Sequence, residues 1–203
     1  LAEAMLFAAG NIDRQGKVED GSTTTDYDPE ETKRGISISA AMAPVEWKNV
    51  KINLIDVPGY FDFIGESIGP MRVANTVGIV VSAVGGLSVG AEKAWDAATK
   101  QGCARMFIIN QMDRENADFD KVLQGLRDRY GTSVVPLIAP IGSAAKFKGV
   151  VNLLENKAFE GAGKALKEVP VPAELEDAVA HYIEEITEAA AEADDDLLMK
   201  YFE

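Results

Sequence analysis

The sequence has one cysteine, Cys103, among its 203 residues. A lone cysteine excludes an internal disulfide and suits the reducing cytoplasm, where we expect the protein to reside. Uninterrupted apolar runs of about 18 residues, the length needed to cross a bilayer, are also missing, so we expect no membrane span. Histidine is equally scarce. His181 has no Cys, His or acid partner at metal-ligand spacing, and we expect it to have a structural role near the surface.

Basic residues are the next shortage. Lys and Arg number 20 against 33 Asp and Glu, which gives a formal net charge of −13. Binding to a phosphate backbone needs clustered Lys and Arg, so this balance opposes a broad nucleic-acid surface and sequence-specific DNA binding. It does not exclude a small phosphorylated ligand. Backbone N–H groups and a divalent cation can hold such a ligand, with acidic side chains serving the cation.

Strands and helices alternate through the first two thirds of the chain. Apolar runs that predict buried strands lie at residues 51–56, 77–83 and 105–110. Residues 88–102 and 117–131 have helical spacing and end at glycine. This order predicts an α/β fold with a mostly parallel sheet and crossover helices, preceded by a hairpin of residues 36–47 with 51–56. Ligands bind such sheets at the carboxyl ends of the strands.

The tail has a different character. Residues 133–142 are predicted to be extended, and a long helix with strongly acidic faces is predicted after Pro172, over residues 173–193. We therefore place a boundary near Gly131. Residues 1–131 would form one α/β domain, and residues 132–203 a small α+β subdomain.

Two turns follow predicted strands and carry polar groups. In "INLIDVPG" Asp56 ends a strand, as does the aspartate that holds Mg²⁺ beside a polyphosphate, commonly through water. Gly59 would let its N–H approach a terminal phosphate with no side chain in the way. In "IINQMD" Asn110 and Asp113 are spaced to clamp a guanine, whose N1–H and exocyclic amine can donate to a carboxylate. Each pattern alone also fits an ordinary turn.

A third segment, "TKRGISIS", offers Ser37 as an oxygen ligand for Mg²⁺ on a nucleotide-dependent loop. The preceding "DGSTTTDYDPEETKRG" is polar and low in apolar anchors, so we expect it to be mobile without a ligand.

These motifs, together with "MRVANTVGIVVSAVGGLSVGAEKAW" and "AAAEADDDLLMKYFE", resemble the GTP-binding domain of elongation factor G over essentially the whole chain. The resemblance implies a P-loop NTPase-type fold and a ribosome-dependent translational GTPase that uses GTP/GDP and Mg²⁺. It implies Mg²⁺ ligation by Ser37 and Asp56. The residues implied to contact GTP are Asp56, Val57, Pro58, Gly59, Tyr60, Asn110, Gln111, Met112 and Asp113.

The chain departs from the family pattern at three of these positions. Ser37 stands where the family usually has threonine, which keeps the hydroxyl. Gln111 replaces a lysine whose stem packs across the base. Tyr60 replaces the histidine that orients the attacking water, and a neutral phenol cannot supply the positive charge of an imidazolium. Losing such a group typically costs about 10²–10⁴-fold in rate. Tyrosine here also resembles a divergent group of elongation factor G-like proteins, so we expect slow hydrolysis, with Tyr60 and Gly59 as the catalytic positions.

The phosphate-binding loop G-x-x-x-x-G-K-[ST] is absent from the printed sequence. The resemblance implies that it precedes Leu1, so we expect this fragment alone to bind GTP weakly or not at all. A hydrolysis-impaired ribosome-binding module, or a related ribosomal-protection or release-factor GTPase, stays possible. In the family the inserted subdomain contacts the acidic stalk protein of the ribosome. Glu184, Glu185 and Glu188 are the candidates for that contact, although an acidic helix is by default a solvated face.

Overall fold

A computed structural model describes residues 1–202, apart from the side chain of Lys164. The chain forms two compact units. The first contains residues 1–79 and 89–106, and the second contains residues 80–88 and the chain from residue 107 onwards. The division passes through two strands. The domain boundary expected at Gly131 stays a prediction.

Helices and strands alternate in the first part of the chain, and strands dominate from residue 138 to residue 169. The α-helices are α1 (Ala2–Ala9), α2 (Pro29–Arg34), α3 (Ile68–Val73), α4 (Val89–Gln101), α5 (Phe119–Tyr130), α6 (Glu176–Ala191) and α7 (Asp195–Phe202). The strands are β1 (Ala41–Trp47), β2 (Val50–Asp56), β3 (Thr76–Ser82), β4 (Ala104–Asn110), β5 (Ile138–Ile141), β6 (Gly149–Asn152), β7 (Lys157–Glu160) and β8 (Lys167–Val169).

The predicted hairpin is present as the antiparallel pair of β1 and β2, with Ala41 opposite Asp56. Its two turn residues, Lys48 and Asn49, both have positive φ, as a tight hairpin turn requires. The first strand begins at Ala41 rather than at residue 36, because the backbone N–H groups just before it bond to carboxylates instead of to a neighbouring strand. Glu31 accepts from two of them and Glu66 accepts from the third.

The parallel α/β pattern is confirmed by β3, α4 and β4. The two strands are neighbours in one sheet, and the hydrogen bonds at their two ends show that they run in the same direction. At their starts the N–H of Ala104 donates to the Asn75 carbonyl, and at their ends the N–H of Ala83 donates to the Asn110 carbonyl. The prediction that these strands are fully buried is wrong. Side chains alternate across a two-stranded sheet, so Ile79 and Val81 of β3 are buried and Val80 between them is 49% exposed.

The second unit contains α5 and an antiparallel sheet in the order β5-β6-β7-β8. Asp118 caps α5 as predicted, because its carboxylate accepts from the N–H of Lys121. The helix predicted after Pro172 is confirmed as α6, whose Val179 packs with Val151 and Ala158 of the sheet. The extended run predicted over residues 133–142 is shorter than expected, with a strand only over β5. Among residues 1–202 no helix is long and apolar enough to cross a bilayer.

Candidate functional site

The turn after β4 holds four predicted ligand-binding residues, which we call the guanine loop (residues 110–113). The Asn110 carbonyl accepts from Ala83 N–H at 2.8 Å, and the Gln111 carbonyl accepts from Arg114 N–H at 3.1 Å. These bonds fix the backbone at both ends of the turn. The side chains of Asn110 and Asp113 are exposed. Both polar groups are therefore accessible to a ligand, as guanine recognition requires.

Met112 has a different place from its neighbours in the guanine loop. Its side chain is 7% exposed and packs in an apolar cluster with Ala83 and Ala117, with Phe147 against it. The Met112 carbonyl accepts from Ala144 N–H at 2.8 Å. This side chain anchors the loop in the core of the second unit, so a ligand could meet Met112 only through its backbone. Its predicted contact with GTP stays a prediction.

Sequence reasoning missed Ser82, the last residue of β3. Its hydroxyl lies 2.8 Å from Gln111 Oε1 and accepts from the N–H groups of Val84 and Gly85, each at 3.2 Å. A serine at the end of an apolar strand gives no signal by itself. Only the parallel pairing of β3 with β4 brings the ends of these strands together, and with them Ser82 and Gln111.

A cavity of about 350 Å³ opens beside these strand ends. Its lining comes from the end of β3, the loop that follows, and the first two residues of the guanine loop. The lining residues are Val80, Val81, Ser82, Gly85, Gly86, Ser88, Asn110 and Gln111. All belong to the second unit. The volume falls in the range of small-ligand pockets, at the edge of a sheet where α/β proteins bind ligands.

The turn after β2 belongs to the first unit. Asp56 is the last residue of β2 and is half-buried, while Tyr60 is 57% exposed. The Tyr60 carbonyl accepts from Phe63 N–H, which starts a 3₁₀ turn over Phe61–Ser67. A Cβ added at Gly59 would meet no atom within 4 Å. Nothing in the protein itself therefore requires glycine there, which agrees with a requirement imposed by a ligand.

Ser37 lies in a polar segment that the structure anchors with buried carboxylates in place of apolar side chains. Ser37 Oγ donates to Asp26 Oδ1 at 2.6 Å, and Thr23 Oγ1 donates to Asp26 Oδ2 at 3.0 Å. Asp26 is 8% exposed. Because the hydroxyl of Ser37 donates its hydrogen bond to Asp26, the lone pairs of Ser37 Oγ stay available to a cation.

Glu31 is the most deeply buried acid of that segment and is fully inaccessible to solvent. Its Oε1 accepts from Ile38 and Ser39 N–H at 2.8 and 2.9 Å, and its Oε2 accepts from Asp28 N–H at 3.0 Å. Burial raises the pKa of Glu31, but the hydrogen bonds from Ser39, Ile38 and Asp28 outweigh burial and hold the pKa below its usual value. The ionised carboxylate therefore ties the start of α2 to the residues that follow Ser37.

The three candidate acids of α6 differ in their surroundings. Glu185 Oε2 accepts from Arg127 Nη2 at 2.7 Å, with both side chains about four-fifths buried. Glu188 accepts from the Tyr201 hydroxyl at 3.4 Å, and Glu184 is exposed. Glu185 is thus engaged inside its own unit, which leaves Glu184 and Glu188 as the more accessible of the predicted partner contacts.

The acids within residues 1–202 do not form a self-sufficient metal site, since no group of three or more His, Cys, Asp or Glu side chains is placed to hold an ion. Mg²⁺ normally keeps several waters and takes one or two protein ligands together with phosphate oxygens. A carboxylate at Asp56 and a hydroxyl at Ser37, whose proton is held by Asp26, fit that donor set. Among the described residues, Asp56 and Ser37 are thus oxygen donors of the type that Mg²⁺ takes beside a nucleotide.

Comparisons with known proteins identify the family and the fold of this chain. Residues 1–192 match the model of the elongation factor Tu GTP binding domain family. The crystal structure of ttk003000868 from Thermus thermophilus superposes on the chain with a TM-score of 0.92 and 34% sequence identity. The match covers 99% of this chain and 30% of the Thermus protein. The chain therefore spans less than a third of the length of that protein.

Proposed function

Because the chain belongs to the elongation factor Tu GTP binding domain family, with the P-loop NTPase fold of a translational GTPase G domain, we propose that it forms the nucleotide-binding part of a ribosome-dependent GTPase of the elongation factor G type. The observation that carries this proposal is the guanine loop. Its backbone is anchored by Ala83 and Met112, while the side chains of Asn110 and Asp113 remain exposed beside the parallel strand ends.

Guanine selectivity would come from Asp113. Its carboxylate accepts hydrogen bonds from the N1–H and the exocyclic amine of guanine, neither of which adenine offers in that place. Asn110 braces the loop, because its carbonyl already bonds to Ala83 N–H. An exposed carboxylate gains most from a ligand that supplies two donors at once, since paired charge-assisted bonds are stronger than single neutral ones.

The residues that would serve the phosphates are in the first unit. Asp56, acting through water, and Ser37 would hold Mg²⁺, and Asp26 would keep the Ser37 hydroxyl turned so that its lone pairs face the cation. When bound, Mg²⁺ neutralises charge that develops on the phosphate oxygens. Gly59 would donate its N–H to the terminal phosphate, at a position where a Cβ would meet no protein atom. Nucleotide exchange would then reorganise the segments around Ser37 and Gly59.

Tyr60 is at the position that would orient the attacking water. Tyr60 is 57% exposed, so its side chain is accessible to a ligand from solvent. A phenol can donate to or accept from water but carries no positive charge at neutral pH. We therefore expect slow hydrolysis, in a catalytic site that contact with the ribosome completes. The lack of a positive charge at Tyr60 also favours a second candidate function, a ribosome-binding module in which hydrolysis has been lost.

Phosphate release by the full-length protein, measured with and without ribosomes, separates these two functions. We expect stimulation by ribosomes in the parent protein and a faster rate in Tyr60→His. Tyr60→Phe, which keeps the ring and removes the hydroxyl, should be slower by about 10-fold or more if the hydroxyl positions water. An unstimulated parent would refute the enzyme and leave the binding module. Equal rates in the parent and Tyr60→Phe would show that the hydroxyl has no role.

The expected partner is the ribosome, in the cytoplasm, with the acidic stalk protein as a contact of α6. Glu184 and Glu188 are exposed on that helix, and Glu185 is held by Arg127. Because the stalk protein is acidic overall, Glu184 and Glu188 would have to meet Lys or Arg side chains on it, and such an attraction weakens as salt screens it. Binding of the full-length protein to isolated stalk protein should therefore fall in Glu184→Gln, and Asp177→Asn at the start of the same helix serves as the control. Binding that is the same in both variants and at both low and high salt would refute this contact.

A related ribosomal-protection or release-factor GTPase would share this domain and differ in the reaction it supports.

A further inference from the structure

The hydroxyl of Ser82 has a fixed hydrogen-bond direction. Two backbone N–H groups, of Val84 and Gly85, point at Ser82 Oγ from 3.2 Å each, and Gln111 Oε1 lies 2.8 Å away. A serine hydroxyl has one proton and two lone pairs. With both lone pairs occupied by N–H donors, the proton goes to Gln111. Only an acceptor fits at that place, so the amide oxygen of Gln111, and not its NH₂ group, faces Ser82.

This direction decides what Gln111 can offer a ligand. One of the two lone pairs of its amide oxygen accepts from Ser82, and this bond orients the amide so that the NH₂ group, which only donates, points away from Ser82. Gln111 lines the 350 Å³ cavity together with Asn110 and Ser82. Its backbone has φ +65°, a left-handed conformation that glutamine rarely adopts, so surrounding contacts must hold the residue there. The side-chain bond to Ser82 is one of these contacts.

We propose that Ser82 is a positioning residue for nucleotide binding, which orients the Gln111 amide and makes Gln111 a hydrogen-bond donor toward the bound nucleotide. This inference rests on the proposed function. Ser82 and Gln111 work as a pair, in which a neutral amide held by a hydroxyl presents donors to the ligand. A lysine at position 111 would present donors too, but it has no acceptor for the Ser82 proton. The end of β3 therefore favours glutamine.

A double-mutant cycle in the full-length protein tests the pair, with GDP affinity as the readout. Ser82→Ala should weaken GDP binding by about 5- to 10-fold, the usual effect of one lost hydrogen bond. Ser82→Thr keeps the hydroxyl and should bind GDP like the parent. In a Gln111→Met background the same Ser82→Ala change should have almost no effect. Ser133→Ala, an exposed serine elsewhere in the second unit, is the control for the loss of a hydroxyl.

A second test swaps the roles in this hydrogen bond, so that residue 111 donates and residue 82 accepts. Gln111→Lys alone should bind GDP more weakly than the parent, and adding Ser82→Asp should recover the affinity. The aspartate accepts from the lysine as well as from Val84 and Gly85. An equal cost of Ser82→Ala with and without Gln111→Met would overturn the proposal, because a purely structural serine would act in both backgrounds.

The outcome for the proposed function is read separately. If the parent and Ser133→Ala bind no GDP, the proposed function fails. The pair is then decided by the thermal unfolding of the parent, Ser82→Ala, Gln111→Met and the double variant. Midpoint shifts that add without coupling would show that Ser82 and Gln111 do not interact, and a shared shift would support the pair.

Discussion

Replacing Glu31 by glutamine should loosen the backbone that follows Ser37 while leaving the rest of the first unit folded. Glu31 is fully buried and accepts three backbone N–H bonds, from Asp28, Ile38 and Ser39. Glutamine has the same size, and its single amide oxygen can still accept from Ile38 and Ser39. Its NH₂ group then faces the N–H of Asp28, donor against donor.

The size of the effect follows from these bonds. Hydrogen bonds to a charged group are worth about 1.5–3 kcal/mol, and a buried donor left without a partner costs about 1–3 kcal/mol. The three bonds share one carboxylate and do not add in full. We therefore expect Glu31→Gln to lower the free energy of local opening by about 2–3 kcal/mol. That corresponds to roughly 30- to 150-fold faster exchange of the protected amides.

Hydrogen exchange at the amides of Ile38 and Ser39 is the measurement, and its pH dependence supplies a second test. The pKa of Glu31 is lowered in the folded protein, so ionisation stabilises the fold above the usual carboxyl pKa, and this contribution is lost as the pH falls through the folded pKa. Protection, corrected for intrinsic rates, should hold from pH 7 down to about pH 5 and decline below that. In Glu31→Gln it should be low throughout and independent of pH in this range.

Glu30→Gln is the matched control. Glu30 is the preceding residue of α2, about half exposed, and pairs with Arg34 one turn later. Exposed pairs of this kind contribute about 0.3–0.5 kcal/mol. Similar amide exchange rates in Glu30→Gln and Glu31→Gln would refute the reasoning. They would mean that the buried, backbone-bonded Glu31 stabilises this segment no more than an exposed charge does.

Three further predictions concern stability and binding. Gly149→Ala should destabilise the protein by about 2–4 kcal/mol, because the added Cβ would overlap the backbone oxygen of Phe159 in the next strand. Gly125→Ala is the control: the space around Gly125 in α5 is open, so this change should be neutral or stabilise by about 0.5–1 kcal/mol. Thermal unfolding of both variants measures the difference. Glu185→Ala should cost about 1–2 kcal/mol by loss of a largely buried ion pair, whereas Glu184→Ala should change little; equal effects in denaturant titrations would contradict this. Gly59→Ala should unfold at the parental temperature but bind GTP more weakly in the full-length protein, and unchanged GTP affinity would remove Gly59 from the site.

Much of the secondary structure could be predicted because its determinants are local. Asp118 caps α5, and Gly102, with φ +71°, follows α4 where a left-handed residue is needed. The start of β1 could not be predicted this way. Whether residues 36–40 join a strand depends on which groups accept hydrogen bonds from their N–H groups. The acceptors are Glu31, which lies on α2, and Glu66, which is 26 residues away from Ala40 along the chain.

The candidate site divides along the same line. The motifs around Asp56, Asn110 and Asp113 could be identified from the sequence, because each places an acid or amide just after an apolar run that predicts a strand, and α/β proteins bind ligands at such strand ends. Ser82 and Asp26 could not. Each acts through a side chain that lies 29 or 11 residues away along the chain, Gln111 for Ser82 and Ser37 for Asp26. No spacing rule links such pairs.

The sequence by itself determined α4, α5 and α6, the hairpin, the parallel α/β order and the chemical types at the predicted nucleotide positions, because these depend on short-range periodicity and on residue chemistry. Only the tertiary structure decided which of those groups are committed to the protein. It buried Met112 in a core cluster, engaged Glu185 with Arg127, and directed the Ser82 proton to Gln111. The physical reason is that hydrogen bonds and burial join residues brought together by strand pairing and helix packing, and a linear sequence does not record those distances.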